Sequence, residues 1–314
     1  MSSQGKWERL LSQLPKAGTL EFWRDLNPGL SISESPFQVS QPATQPSKDL
    51  LNQYRERMIE EAYFQTEPTL PPEMVSAMRA AIESVKQAGL PAMFAFVYDI
   101  FYQGLTHFDA AFKAALGENY RLVPNLAVYY IEATDEGKGF APHRDAEYLN
   151  ALDEQGLPTV MTVWITITEA SPLSSCLYIV PKNRDPQYAQ SIGDLSVTAD
   201  AFAWEDVRAL PTPPGVMSCW TQYLFHWGSR ASRRAKDPRI TYAVYLQSGR
   251  VAPVTEQTVA VPSPLSFAQR LSMICRSLRH NNYATFASWE RSEELLSFLD
   301  RHTLPVTPSA LPMV

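Results

Sequence analysis

The chain predicts a mainly β fold with flanking helices, its core an antiparallel barrel or a double-sheet jelly roll. Three observations carry that expectation. From Pro124 the hydrophobic period changes to two, the spacing of half-buried strands, while the stretches on either side keep helical spacing. Turn residues punctuate the strand-like runs. No helix-length period separates the runs at 159–168 and 175–181, which argues against a parallel βαβ sheet.

The helical flank begins after a loop at 36–47, "PFQVSQPATQPS", which holds three prolines and no helical period. "DLLNQYRERMIEEAYF" (49–64) reads as helix. "PPEMVSAMRAAIESVKQAG" (71–89) opens on Pro-Pro, sets Met74, Met78, Ala81 and Val85 on one face, and stops at Gly89. "THFDAAFKAALG" (106–117) is a further short helix ending at Gly117. Then come the strands. "NLAVYYIEA" is followed by "TVMTVWITIT" (159–168), where Met161, Val163, Ile165 and Ile167 share one face. The opposite face, with Thr162, Trp164 and Thr166, suits the wall of a cavity better than bulk core. "SCLYIVP" (175–181), "GVMSCWTQYLFHW" (215–227) and "RITYAVYLQ" (239–247) continue the pattern, and "PLSFAQRLSMICRSLRH" and "ASWERSEELLSFLDRH" return to helix. The expected organisation is a helical region over 1–123, a β core over 124–250 and a helical region over 251–314, within one structural domain.

Composition excludes several classes. At 314 residues, with 45% hydrophobic and 19% charged, the chain has the balance of a globular protein able to bury a large core. A net charge of −6 gives no basic bias toward nucleic acid or an anionic membrane surface. No apolar run approaches the ~20 residues of a membrane-spanning helix, and the first residues carry no secretory h-region. Cys176, Cys219 and Cys275 are scattered without CxxC spacing, as expected of reduced, buried thiols in a cytoplasmic protein.

The stretch "APHRDAEYLN" (141–150) admits two chemistries. As H-R-D-x-x-x-x-N it matches a protein-kinase catalytic loop, with Asp145 as base and Asn150 as magnesium ligand. A kinase also needs a glycine-rich loop, a strand lysine and D-F-G, and none is present. As H-x-D it is two-thirds of an iron site: His143 and Asp145, at i and i+2 of an extended segment, point the same way while Arg144 faces elsewhere. The third ligand must come from afar. Of five histidines, His107, His280 and His302 lie at helix ends or on polar helices, which suits solvated or capping roles. His226 ends an apolar strand in "YLFHWGSR" and is the natural third ligand. Arg239 opens the next strand, thirteen residues on, and shares a face with Thr241. Together they offer a planar fork and a hydroxyl to a buried carboxylate, such as the distal carboxylate of a chelating 2-oxo acid.

These pieces resemble the phytanoyl-CoA dioxygenase family of iron- and 2-oxoglutarate-dependent oxygenases. The resemblance runs over about 124–247. It rests on "PHRD", "TVWITIT", "SSCLYIVP", "HWGSRAS" and "RIT", in that order. It implies a double-stranded β-helix (jelly-roll, cupin-like) core and His143, Asp145 and His226 as ligands of Fe(II). It implies Arg239 as partner of the 2-oxoglutarate carboxylate, with Trp164 and Ser229 near the same pocket. Two departures stand out. The family's H-G-S is here His-Trp-Gly-Ser, which sets Ser229 one residue late. The family's P-G-S-H is here "PKNRD" (181–185).

The implied reaction consumes O2 and 2-oxoglutarate, releases succinate and CO2, and oxidises an unactivated C–H bond of a small molecule, with a specialised metabolite the natural candidate. Asp145 stands where halogenating relatives have a small residue, which points to hydroxylation or another oxidation. Residues 182–214 are a substrate lid or a plain surface excursion. Arg230, Arg233, Arg234 and Lys236 either meet an anionic or carrier-linked substrate or form a solvated loop. Tyr98, Phe101, Tyr129 and Tyr130 line a pocket or pack the core. The rivals are a cupin-like metal enzyme that does not use 2-oxoglutarate and a non-catalytic β-barrel binding protein.

Overall fold

The structure, a computed structural model, describes residues 3–33, 45–145, 151–189, 202–255, 258–261, 263, 265–280 and 292–304. Most of the predicted 36–47 loop, residues 190–201 of the 182–214 connection, and Asn150 lie outside the described residues.

Two antiparallel sheets face each other. The larger has the order β1-β6-β3-β8-β2-β9, from Tyr63–Gln65 (β1), Arg121–Ile131 (β2), Val160–Thr166 (β3), Met217–Thr221 (β6), Arg239–Gln247 (β8) and Val259–Ala260 (β9). The smaller has the order β5-β4-β7, from Leu177–Val180 (β4), Arg208–Leu210 (β5) and Phe225–Gly228 (β7). This double sheet is the jelly-roll core that the alternating runs predict.

Alternation decides what each face of the large sheet meets. Met161, Val163, Ile165, Ile240, Tyr242 and Val244 bury against the helices. Ala127, Trp164, Trp220 and Ala243 turn the other way, toward Leu177, Ile179 and Leu210 of the small sheet. The helices are Ser3–Ala17 (α1), Leu20–Leu26 (α2), Lys48–Glu60 (α3), Pro72–Gln87 (α4), Asp99–Thr106 (α5), Asp109–Leu116 (α6), Phe267–His280 (α7) and Glu293–His302 (α8). Helix α4 opens on Pro72 at its first turn and is followed by Gly89 at φ +91°, a left-handed conformation that costs glycine nothing. Tyr98 and Phe101 belong to this helical side: the Tyr98 hydroxyl donates to the Trp23 carbonyl at 2.9 Å, and the Phe101 ring meets Tyr242 edge-on. Tyr130 lies beneath the Lys86 ammonium, whereas Tyr129 faces the cavity.

The structure corrects the sequence in four places. Helix α3 stops at Glu60, not Phe64. Ala62 takes a left-handed φ of +68°, and Tyr63–Gln65 then pairs with Ser218–Trp220 as an edge strand. The run 215–227 is two strands in different sheets, broken at Gln222–Leu224. Residues 208–210 of the 182–214 connection are a sheet strand. Helix α5 and the 3-10 turn Ala92–Val97 fill a stretch without expected structure.

Candidate metal centre

The segment carrying His143 and Asp145 is not a regular strand, contrary to the simplest reading of its i, i+2 spacing. It touches β7 through one isolated antiparallel bridge, His143 to His226, whose backbones exchange both hydrogen bonds at 3.0 and 2.9 Å. Two distant histidines thereby become cross-strand partners with ring centroids 4.4 Å apart. A glycine pair permits the approach. A Cβ on Gly228 would sit 2.6 Å from Gly139 Cα, closer than real contacts allow. His-Trp-Gly-Ser, although it departs from the family's H-G-S, thus places its glycine where the two histidine-bearing segments touch.

Each imidazole is oriented by its own chain. His143 Nδ1 lies 2.7 Å from the Ala141 carbonyl and His226 Nδ1 3.0 Å from the Leu224 carbonyl. Both Nδ1 atoms therefore carry the proton, which leaves both Nε2 lone pairs for a metal. These Nε2 atoms lie 3.6 and 3.7 Å from Asp145 Oδ1, and the three ligand atoms fall within 4.8 Å of one another. Two imidazole nitrogens and one carboxylate oxygen are the donor set of a non-haem Fe(II) site.

Charge fits that role. Burial, followed by the neighbouring His143, lowers His226 to about 4, so it is a neutral donor near pH 7. Burial works against the Asp145 carboxylate. With a proton on the imidazoles, His226 and His143 together with the Thr162 hydroxyl outweigh it and hold the carboxyl well below its usual range, a role that a bound cation would take over from that proton.

Arg144 is not the bystander that H-x-D suggests. It is buried, bonded to both Asp185 oxygens at 2.6 and 3.1 Å, and donates to the Tyr223 carbonyl at 2.5 Å. Asp185 closes the divergent "PKNRD". The ligand segment is therefore pinned both to the chain after β4 and to the turn between β6 and β7.

The sheets enclose a cavity of about 400 Å³ beside the triad. Its floor follows the strand register. Tyr245 and Thr162 stand opposite each other on one row and Ala243 and Trp164 on the next, while the following pair in register, Thr241 and Thr166, is buried off the wall. The alanines leave the depression. At its far end Arg239, 3% exposed, lies 5.4 Å from the Trp164 ring and 5.9 Å from that of Tyr129. Its Nε and the hydroxyls of Thr241 and Thr166 are buried without a partner among the described residues. A buried cation beside orphaned hydroxyls fits a carboxylate supplied from outside the chain. Burial lowers the guanidinium from 12.5 to about 10, and the Tyr129 hydroxyl opposes that.

Trp164 is on the cavity wall. Ser229 stands behind Gly228, its N–H bonded to the Cys176 carbonyl, and Thr241 is buried beneath the floor. Arg230, Arg233, Arg234 and Lys236 are exposed and off the wall, Arg233 paired with Asp135. The sequence did not single out several wall residues, among them Trp220, Asn125, Tyr245 and His280. Asn125 and Tyr245 carried the alternating signal, but His280, read as a solvated helix end, did not. Slippage of the β2 register between Val123 and Leu126 frees the Leu126 N–H, which donates to Ser277 on α7 at 2.8 Å. That contact carries His280, one turn on, to the cavity. His107 is a helix C-cap as expected, but a buried one.

A jelly roll with a His-Asp-His cluster and a buried arginine on one cavity carries the donor set of a non-haem iron enzyme. The chain belongs to the phytanoyl-CoA dioxygenase (PhyH) family of iron- and 2-oxoglutarate-dependent oxygenases, whose profile matches residues 62–235, more than half its length. The match ends before Arg239. No curated protein matches the chain. Among solved structures, the non-haem 2-oxoglutarate-dependent carbocyclase SnoK of nogalamycin biosynthesis is 18% identical with a TM-score of 0.50, over 72% of this chain and 96% of that one. The epimerase SnoN, solved with Fe3+, 2-oxoglutarate and nogalamycin RO, is 17% identical with a TM-score of 0.48, over 70% and 97%. EctD from S. alaskensis, solved with 2-oxoglutarate and 5-hydroxyectoine, is 12% identical with a TM-score of 0.45, over 68% and 82%. The likeness to SnoK is one of fold. Among the described residues no helix is long and apolar enough to cross a membrane.

Proposed function

We propose that the protein is a hydroxylase-type Fe(II)/2-oxoglutarate oxygenase that oxidises a C–H bond of a small molecule. His143, Asp145 and His226 would hold the iron. Arg239, with Thr241 and Trp164 beside it, would hold the distal carboxylate of 2-oxoglutarate. The observation that carries the reading is the pairing of a compact His-Asp-His cluster with a buried arginine Nε that has no partner among the described residues, both on one cavity.

Bound iron and 2-oxoglutarate would supply, with O2, the oxidant for the C–H bond, leaving succinate and CO2. The chain's own work is positioning. Ala141 and Leu224 carbonyls fix both imidazole tautomers. Trp164 and Tyr129 flank the guanidinium and keep water from it, which strengthens its grip on a carboxylate. Ala127 and Ala243 leave the floor low enough for a ligand to lie between Arg239 and the triad. Asp145 supplies a carboxylate ligand, which supports oxidation rather than halogen transfer.

The test is anaerobic addition of Fe(II), then 2-oxoglutarate, to apoprotein, watching for visible charge-transfer absorption. The band is expected in wild type and absent in His226→Ala and Arg239→Met. A folded wild-type protein that forms no band would refute the reading.

A further inference from the structure

Resting on that reading of the triad, we infer that Thr162, Trp220 and Gln222 are positioning residues that restrict Asp145 to ligation through one oxygen. The carboxylate is held asymmetrically. Its Oδ1 faces the Nε2 atoms of His143 and His226 at 3.6 and 3.7 Å. Its Oδ2 accepts the Thr162 hydroxyl at 2.6 Å and the Trp220 indole N–H at 2.9 Å.

The Thr162 hydroxyl has one proton to give. Gln222 Nε2 donates to the same Thr162 oxygen at 2.9 Å, so that proton is directed at Asp145. Trp220 has a second grip on the site, its ring lying 4.9 Å from that of His226. All three side chains are buried, and strand register brings them together, with Thr162 directly opposite Trp220 on β3 and β6. Two donors on Oδ2 engage the lone pairs it would need to reach a metal. A carboxylate using both oxygens would occupy a position that a chelating cosubstrate and O2 need. The clamp thus protects open coordination as well as affinity.

The test uses Co(II) alone on full-length apoprotein, with visible d–d absorption reporting both affinity and coordination. Thr162→Val, which is nearly isosteric, with Trp220→Phe, which keeps an aromatic ring, removes both donors. This double variant is expected to bind Co(II) ~10–100-fold more weakly, the usual loss when outer partners of a metal ligand are removed, and with a changed d–d spectrum. Thr162→Ser, which keeps the hydroxyl, should restore the wild-type spectrum. A folded double variant with wild-type affinity and spectrum overturns the clamp and leaves the triad standing. Wild-type protein that binds no Co(II) overturns triad and clamp together. If the double variant does not fold, Trp220→Phe alone decides by the same two readouts.

Discussion

Arg239→Met tests whether the cavity is built to hold an anion. Among the described residues the buried guanidinium has no counter-charge, and burial lowers it from 12.5 to about 10. At 1.36 kcal/mol per tenfold step in proton affinity, the cavity disfavours the charge by about 3 kcal/mol. The Trp164 and Tyr129 rings at 5.4 and 5.9 Å return about 1–2 kcal/mol as cation–π contacts. Methionine fills similar space without the charge, so the apo variant should be about 1–2 kcal/mol more stable than wild type by urea unfolding. With metal and 2-oxoglutarate at a hundred times its dissociation constant, wild type should gain about 2.7 kcal/mol and the variant none from the 2-oxoglutarate. An apo variant at least 1 kcal/mol less stable than wild type would refute the reasoning, because Arg239 would then have a partner inside the protein.

Arg144→Met should cost about 3–5 kcal/mol in urea unfolding by stranding Asp185, and adding Asp185→Leu should recover most of it; equal losses in both variants would show that the pair does not act as a unit. Gly228→Ala drives a methyl against Gly139 and should cost about 1–3 kcal/mol and weaken Co(II) binding, whereas wild-type metal affinity would mean that the segments separate freely. His107 is buried with neither ring nitrogen partnered among the described residues, and burial lowers its pKa. The unfolded chain therefore takes up the proton first as pH falls through about 6.5, so His107 lets full stability stand above that pH and removes some below it. His107→Leu should flatten the loss of stability between pH 7 and 5, and an unchanged slope would count against a buried neutral imidazole.

The sequence was most legible where side chains alternate. The split of β3 into a helix-facing and a cavity-facing row was readable from period alone, as was β8 with Arg239 and Thr241 on one face. His226 emerged as third ligand because it was the one distant histidine on an apolar strand. Two places resisted for the same reason: local pattern says nothing about partners. Tyr63–Gln65 continues a helical stretch and becomes a strand only because Ser218–Trp220 offers it an edge. The run 215–227 has no turn residue at its break, since Gln222–Leu224 bends to change sheets rather than to reverse in one. Arg144 looked incidental because its partner lies 41 residues away. Thr162 could be assigned to the cavity face, but its meeting with Trp220 at Asp145 depends on register.

The corner between β6 and β7 has a bearing on how this sequence can change over time. Trp220, which engages Asp145, lies before it, Gln222, which engages Thr162, opens it, and His226 lies after it, with only Tyr223, Leu224 and Phe225 between Gln222 and His226. Adding or deleting one residue here would invert the strand beyond, turning Trp227 inward and the histidine outward. Length added beyond Asp185 or between β7 and β8 leaves this register untouched. At this corner side chains can be exchanged but the length cannot change.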